Sequence, residues 1–179
     1  MKLVLNKKQP AFSLLETIVV LFIVAVGLVS ILSLTVDSLR AQNLNRSNLV
    51  AYNLAIEGIE LVKNIRDTNF ILNSSTTPVF WNKNIEGSVA GMRYKVDYAN
   101  YTPVNVSNIS ECRLQLTTGA DPNFYIHQAG LPDSAYSRMI TVTSADSDPA
   151  SSTVSSLVEW LDGGQTYQLE LTTMLYDWE

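Results

Sequence analysis

Cysteine and histidine are nearly missing from this chain of 179 residues: Cys112 and His127 are the sole examples of each. A single Cys cannot close a disulfide within the chain, so a disulfide scaffold is excluded. Catalysis by a Cys/His or His-based site has no second member to draw on. Charge is sparse too, at 16% of residues against about 25% in typical soluble domains. Cations are absent after Arg138, where seven carboxylate side chains remain, and the net charge is −5. That field repels phosphate and argues against nucleic-acid binding. Proline is missing between Pro10 and Pro78, and Gly27 and Gly58 are the only glycines in that interval. Nothing there punctuates a helix.

What the N-terminal region does contain is ordered. Lys2, Lys7 and Lys8 come first, then Gln9-Pro10-Ala11, then Phe12-Ser13-Leu14-Leu15-Glu16. Twenty residues without a charge follow, from Thr17 to Val36. About twenty apolar residues at 1.5 Å each cross a hydrocarbon layer roughly 30 Å thick. The positive-inside rule keeps the lysines cytoplasmic and sends the C-terminal part outward. A secretory signal would have a shorter apolar core with its small residue after it, whereas Ala11 lies before. A plain single-span anchor fits the apolar run but leaves Glu16 unexplained.

The stretch Ala11-Phe12-Ser13-Leu14-Leu15-Glu16, between a basic leader and an apolar helix, resembles the processing motif of type IV prepilins. That family includes minor pilins and type II secretion pseudopilins, and IVAVGLVSIL resembles this branch. The resemblance implies cleavage by a membrane-embedded prepilin peptidase between Ala11 and Phe12, then N-methylation of Phe12. It also implies partners: other pilin or pseudopilin subunits, an inner-membrane assembly platform and membrane lipid, with no nucleic acid. The residue before the cut is usually Gly in that family, and many major pilins carry a mid-span Pro where this chain has Ser33. Many also close a C-terminal loop with a disulfide, which this chain cannot. No catalytic residue, cofactor or metal is expected.

A carboxylate within hydrocarbon costs several kcal/mol unless partnered. Cleavage would unmask an amine at Phe12, and the amine of one subunit could pair with Glu16 of its neighbour. Desolvation takes back much of such a pair's attraction, so its use would be in setting axial register. The competing role for Glu16 is at the helix start near the headgroups, where the helix dipole favours a carboxylate. Gly27, Ser30 and Ser33 offer small surfaces for close helix contact. They are equally compatible with polar residues merely tolerated in a span.

Continuous helix from about Phe12 to Asn69 would be roughly 85 Å long at 1.5 Å per residue. Past Asp37 an apolar stripe emerges: Ala41, Leu44, Ala51, Leu54, Ala55, Gly58, Leu61, Val62 and Ile65. Glu60–Lys63 and Lys63–Asp67 are spaced to pair along the helix. Residues 70–91 read as loop, and Ser144 to Ser152 as an exposed loop. Five strands are expected around Met92–Tyr98, Leu114–Leu116, Met139–Thr143, Val154–Trp160 and Tyr167–Leu175, with Asp162-Gly163-Gly164-Gln165 as a hairpin turn. The fold class is α+β: a long N-terminal helix whose outer half packs against an antiparallel sheet, the ladle that the pilin resemblance implies.

The boundaries follow: leader 1–11, membrane or filament-core helix 12–36, amphipathic helix 37–69, and sheet domain 70–179. Removing Lys2, Lys7 and Lys8 leaves nine basic against 17 acidic residues, a net −8. The function this suggests is a minor-pilin-like filament subunit, anchored by one span with its sheet domain outside the cytoplasmic membrane. A type II secretion pseudopilin and a single-span extracytoplasmic binding protein are the alternatives. Asp146, Asp148 and Asp162 match no defined calcium loop and read as solvated turns. Cys112 reads as a small core residue, and His127 as a surface or satisfied core histidine. Trp81, Trp160 and Trp178 read as core packing.

Overall fold

The computed structural model describes residues 13–73, 79–99, 101–118, 124–145 and 148–177. It has one long apolar helix followed by an antiparallel sheet, an α+β, pilin-like arrangement. Helix α1 runs Leu14–Asn73 without interruption. Strands follow at β1 Met92–Lys95, β2 Val104–Asn105, β3 Arg113–Leu116, β4 Tyr125–Ile126, β5 Asp133–Ala145, β6 Asp148–Asp162 and β7 Gln165–Tyr176. A 3₁₀ turn, Ile109–Cys112, precedes β3, its first turn capped by Asn108 Oδ1, which accepts from Ser110 N at 3.0 Å. The chain divides into two compact units, residues 1–44 and 45–179.

Within the second unit β5 is the central strand. It pairs with β6 along one flank, and β6 pairs with β7. On the other flank β1 takes Ile140–Val142 and β3 takes Asp133 and Ser137, so the two share that side. The short strands β2 and β4 close β1 and β3. Between β6 and β7, Gly163 and Gly164 have φ of +58° and +82°. Left-handed backbone at both central positions matches the twist of the flanking strands, and Gly alone adopts it freely.

The helix stripe lies on this sheet. Ala51, Leu54, Ala55, Gly58, Leu61, Val62 and Ile65 are all buried, whereas Ala41 is exposed and Leu44 half-buried. The core is in two parts. Ala51, Leu54 and Ala55 meet Leu114, Tyr136, Val158 and Trp160; Leu61, Val62 and Ile65 meet Ile85, Tyr94, Ile140, Val142, Val154 and Leu175. Between them runs a belt of three residues, one each from α1, β5 and β6: Gly58, Arg138 and Ser156. A Cβ at Gly58 would lie 2.5 Å from Ser156 Oγ and 2.7 Å from Ile140 Cδ1. Glycine is therefore what lets the helix approach the sheet this closely.

Arg138 is wholly buried, although arginine is rarely so without partners. It donates from Nη1 to Leu54 O at 3.2 Å and from Nη2 to Val96 O at 2.9 Å. Nη1 also lies 3.1 Å from Glu57 Oε1. One side chain thus ties α1, β5 and the chain beyond β1 together. The sequence pattern, which placed Glu57 off the apolar stripe, contained no sign of this contact.

Several expectations are corrected. Helix α1 continues through Phe70–Asn73, because Asn69 is anchored: its Nδ2 donates to Trp81 O at 3.0 Å and Lys83 O at 2.9 Å. Residues 144, 145 and 148–152 are strand rather than exposed loop, and Ser151 and Ser152 are buried. Their small hydroxyls fit the long β5–β6 ladder, where Ser144 and Ser152 hydrogen-bond each other at 2.8 Å. Strand β1 stops at Lys95, so Tyr98 lies outside it and Val96 is buried without being strand. Asp67 pairs with Arg66 at 2.8 Å instead of Lys63, which keeps Glu60 at 2.8 Å. Trp81 and Trp160 are core residues; Trp178 and the Asn73–Pro78 break beyond Asn73 lie outside the described residues.

Asp97 organises the turn after β1. Its Oδ1 accepts from Ala99 N at 3.1 Å, and its Oδ2 from His127 N at 3.2 Å. His127 Nδ1 is 3.7 Å from the same Oδ2, with both side chains close to buried. The His127 imidazole and these amides hold the Asp97 carboxyl below its ordinary value, against the opposing effect of burial. A carboxyl with a depressed folded pKa stabilises the fold above its unfolded pKa of about 3.9, and the contribution is lost as pH falls through the folded value. Asp97→Asn should therefore cost about 1–3 kcal/mol at pH 6. The deficit should narrow below about pH 4, where the unfolded chain takes up the proton before the folded one does. Denaturant titrations at pH 3 to 6 check this; a deficit independent of pH would assign the loss to geometry alone.

Candidate functional site

The site is the first part of α1, built from the chain's start inward. Ser13 O accepts from Glu16 N at 2.9 Å and Thr17 N at 3.2 Å, and Thr17 Oγ1 donates to Leu14 O at 2.8 Å. The first turn is thus closed around Glu16, an acidic residue where the helix dipole is positive. Among the described residues Glu16 has no ion-pair partner. Ala11 and Phe12, the expected cleavage pair, lie outside the described residues.

Every residue from Leu14 to Asn43 is exposed. Seventeen large apolar side chains between Leu14 and Leu39 are among them, including Leu14 at 76%, Phe22 at 68% and Leu34 at 71%. Each such side chain forgoes about 1.5–3 kcal/mol when left in water. An apolar surrounding would recover that free energy. The segment is long and apolar enough to cross a membrane by length and composition.

Gly27, Ser30 and Ser33 all fall in this exposed, continuous helix. A Cβ at Gly27 would meet nothing within 4 Å, so no contact inside the chain calls for glycine there. Ser30 Oγ bonds back to Val26 O at 2.9 Å, which satisfies its hydroxyl within the helix. Thr35 does the same to Ile31 O at 2.9 Å.

The sheet domain offers no comparable chemistry. Cys112 is buried, and desolvation pushes its thiol up to about 11, which suppresses the reactive thiolate. Among the described residues no three His, Cys, Asp or Glu side chains are grouped to hold a metal. Asp162 accepts from Ser47 Oγ at 3.2 Å, so its carboxylate ties the hairpin turn to α1. Asp146, and the side chain of Asp148, lie outside the described residues.

The model of the prokaryotic N-terminal methylation motif matches residues 6–32. The chain carries, in other words, the signature of type IV pilins and pseudopilins, a structural rather than catalytic class. The matched segment contains Ala11, Phe12, Glu16, Gly27 and Ser30. No curated protein and no solved structure matches the chain. The motif implies processing by prepilin peptidase and assembly with other pilin subunits, and with the exposed apolar helix it is consistent with membrane anchoring and a pilus.

Proposed function

We propose that this protein is a minor pilin: a structural subunit inserted through its N-terminal helix into a type IV pilus or a related filament. Prepilin peptidase cuts between Ala11 and Phe12, and the new terminus is N-methylated. Before assembly the chain is held in the cytoplasmic membrane by one span, with lysines 2, 7 and 8 inside and the sheet domain outside. Residues 1–11 are then the leader, 12–36 the filament-core helix, the rest of α1 as far as Asn73 its amphipathic continuation, and the chain beyond it the sheet domain. The observation carrying this reading is the methylation motif at residues 6–32, in which Glu16 directly precedes an uncharged run that continues to Val36.

Glu16 pairs with the Phe12 amine of a neighbouring subunit, and methylation keeps that amine charged. Gly27, Ser30 and Ser33 let neighbouring helices approach closely within the filament core. Intact-mass analysis of the protein from cells with active peptidase should show loss of residues 1–11 and gain of one methyl group. A terminus at Met1, or downstream of the apolar run, would overturn the assignment.

A further inference from the structure

The sheet is asymmetric in how its edges end. On the β1 and β3 side it closes with two-residue strands, β2 and β4. On the other side it ends in β7, twelve residues long, which pairs only with β6 among the described residues. The β6–β7 ladder runs from Asp162↔Gln165 to Ser151↔Tyr176 without a bulge. Long sheet edges are ordinarily blunted by Lys, Pro, bulges or inward-pointing charges. β7 has no Lys, no Pro and no bulge, and its one charge, Glu170, points away from the core.

The inner face of β7 is also unfinished. Tyr167, Leu169 and Leu171 pack against the core yet remain half-exposed, whereas Leu175 at the far end is buried. A strand added beside β7 would place alternate side chains over that flank. Its other side chains would lie on the outer face, where the described charges of the β6–β7 hairpin, Glu159 and Glu170, are both negative. A second copy of β7 would bring carboxylates towards carboxylates.

We propose that the free edge of β7 is a docking site for an extended segment of another protein, one that alternates apolar residues with Lys or Arg. Main-chain hydrogen bonds would supply affinity, and the alternating side chains specificity. The inference rests on the sheet alone and does not depend on the filament reading.

The test uses the full chain in detergent micelles and a blocked dodecapeptide alternating valine and lysine. Two controls accompany it: a valine–glutamate peptide, and the lysine peptide N-methylated at alternate amides so that it cannot pair. The lysine peptide should bind and slow hydrogen exchange within Gln165–Tyr176. The glutamate peptide should bind about tenfold more weakly or worse, because like charges oppose cross-strand pairing. Glu170→Lys should weaken the lysine peptide by about threefold, the scale of one cross-strand charge pair. Equal binding of the N-methylated peptide, equal binding of the two charge types, or protection away from β7 would overturn the proposal. So would concentration-dependent protection, without peptide, of the β7 amides that are not bonded to β6, which would make the occupant a second copy.

Discussion

Replacing Arg138 by alanine should destabilise the sheet domain by about 2–5 kcal/mol, because a wholly buried side chain that donates two hydrogen bonds is lost and a cavity is left in its place. Three things go wrong at once. Val96 O loses its donor, Glu57 loses its counter-charge, and a cavity opens between the two halves of the core. Losing a buried hydrogen bond leaves the stranded group to bear its full desolvation penalty. The magnitude is a large share of the roughly 5–15 kcal/mol that typically separates folded from unfolded domains.

The double substitution Arg138→Met with Glu57→Leu discriminates between two origins of that loss. Apolar replacement of both members of a buried ion pair is often neutral or stabilising; here Arg138 is buried and Glu57 part-exposed. If uncompensated charge and polar groups dominate, the double variant should recover most of the stability that Arg138→Ala loses. If it stays as unstable as Arg138→Ala, then the bridge from α1 to Val96 O is what the fold needs. Reversible denaturation of the full chain in detergent, followed by near-ultraviolet dichroism of Trp81 and Trp160, reads the domain directly, since both rings are buried in it.

Glu16→Ala should leave cleavage largely intact and reduce incorporation into filaments by about tenfold, equivalent to roughly 1.4 kcal/mol. The two steps separate because they use different atoms. In the reading proposed above, cleavage acts on the Ala11–Phe12 bond, whereas assembly uses the Glu16 carboxylate against a neighbour's amine. Comparing membrane and filament fractions by immunoblot, with the processed form resolved from the precursor, measures both. Unchanged incorporation would confine Glu16 to its other physical role, favouring the first turn of α1 through the helix dipole, where the effect is about 0.3–1 kcal/mol.

Much of this molecule is decided by short-range pattern. Twenty uncharged residues without a proline produce the apolar segment of α1, and the i, i+3, i+4 stripe from Ala51 to Ile65 selects the face that the sheet covers. Alternation of Tyr167, Leu169 and Leu171 with polar neighbours marks β7, and Gly163-Gly164 dictates its hairpin because both need positive φ. These features were legible because each depends on residues a few positions apart. The motif around Ala11, Phe12 and Glu16 was legible for the same reason.

Tertiary structure decided the rest. The burial of Arg138 depends on Leu54, Glu57 and Val96, residues 42 to 84 positions away. The need for Gly58 appears only when Ser156 and Ile140 are brought against it. Ser151 and Ser152 look like loop by composition, yet the β5–β6–β7 ladders override that preference, since β propensity reflects packing more than the backbone itself. Whether a strand is central or an edge is likewise invisible locally: β6 and β7 have similar lengths and alternation, and only the sheet order leaves one of them with an open flank. Local sequence chose the elements because hydrogen bonding and periodicity act within a turn or a strand pair. Contacts between distant residues chose which charge is buried, which glycine is required and which edge is free.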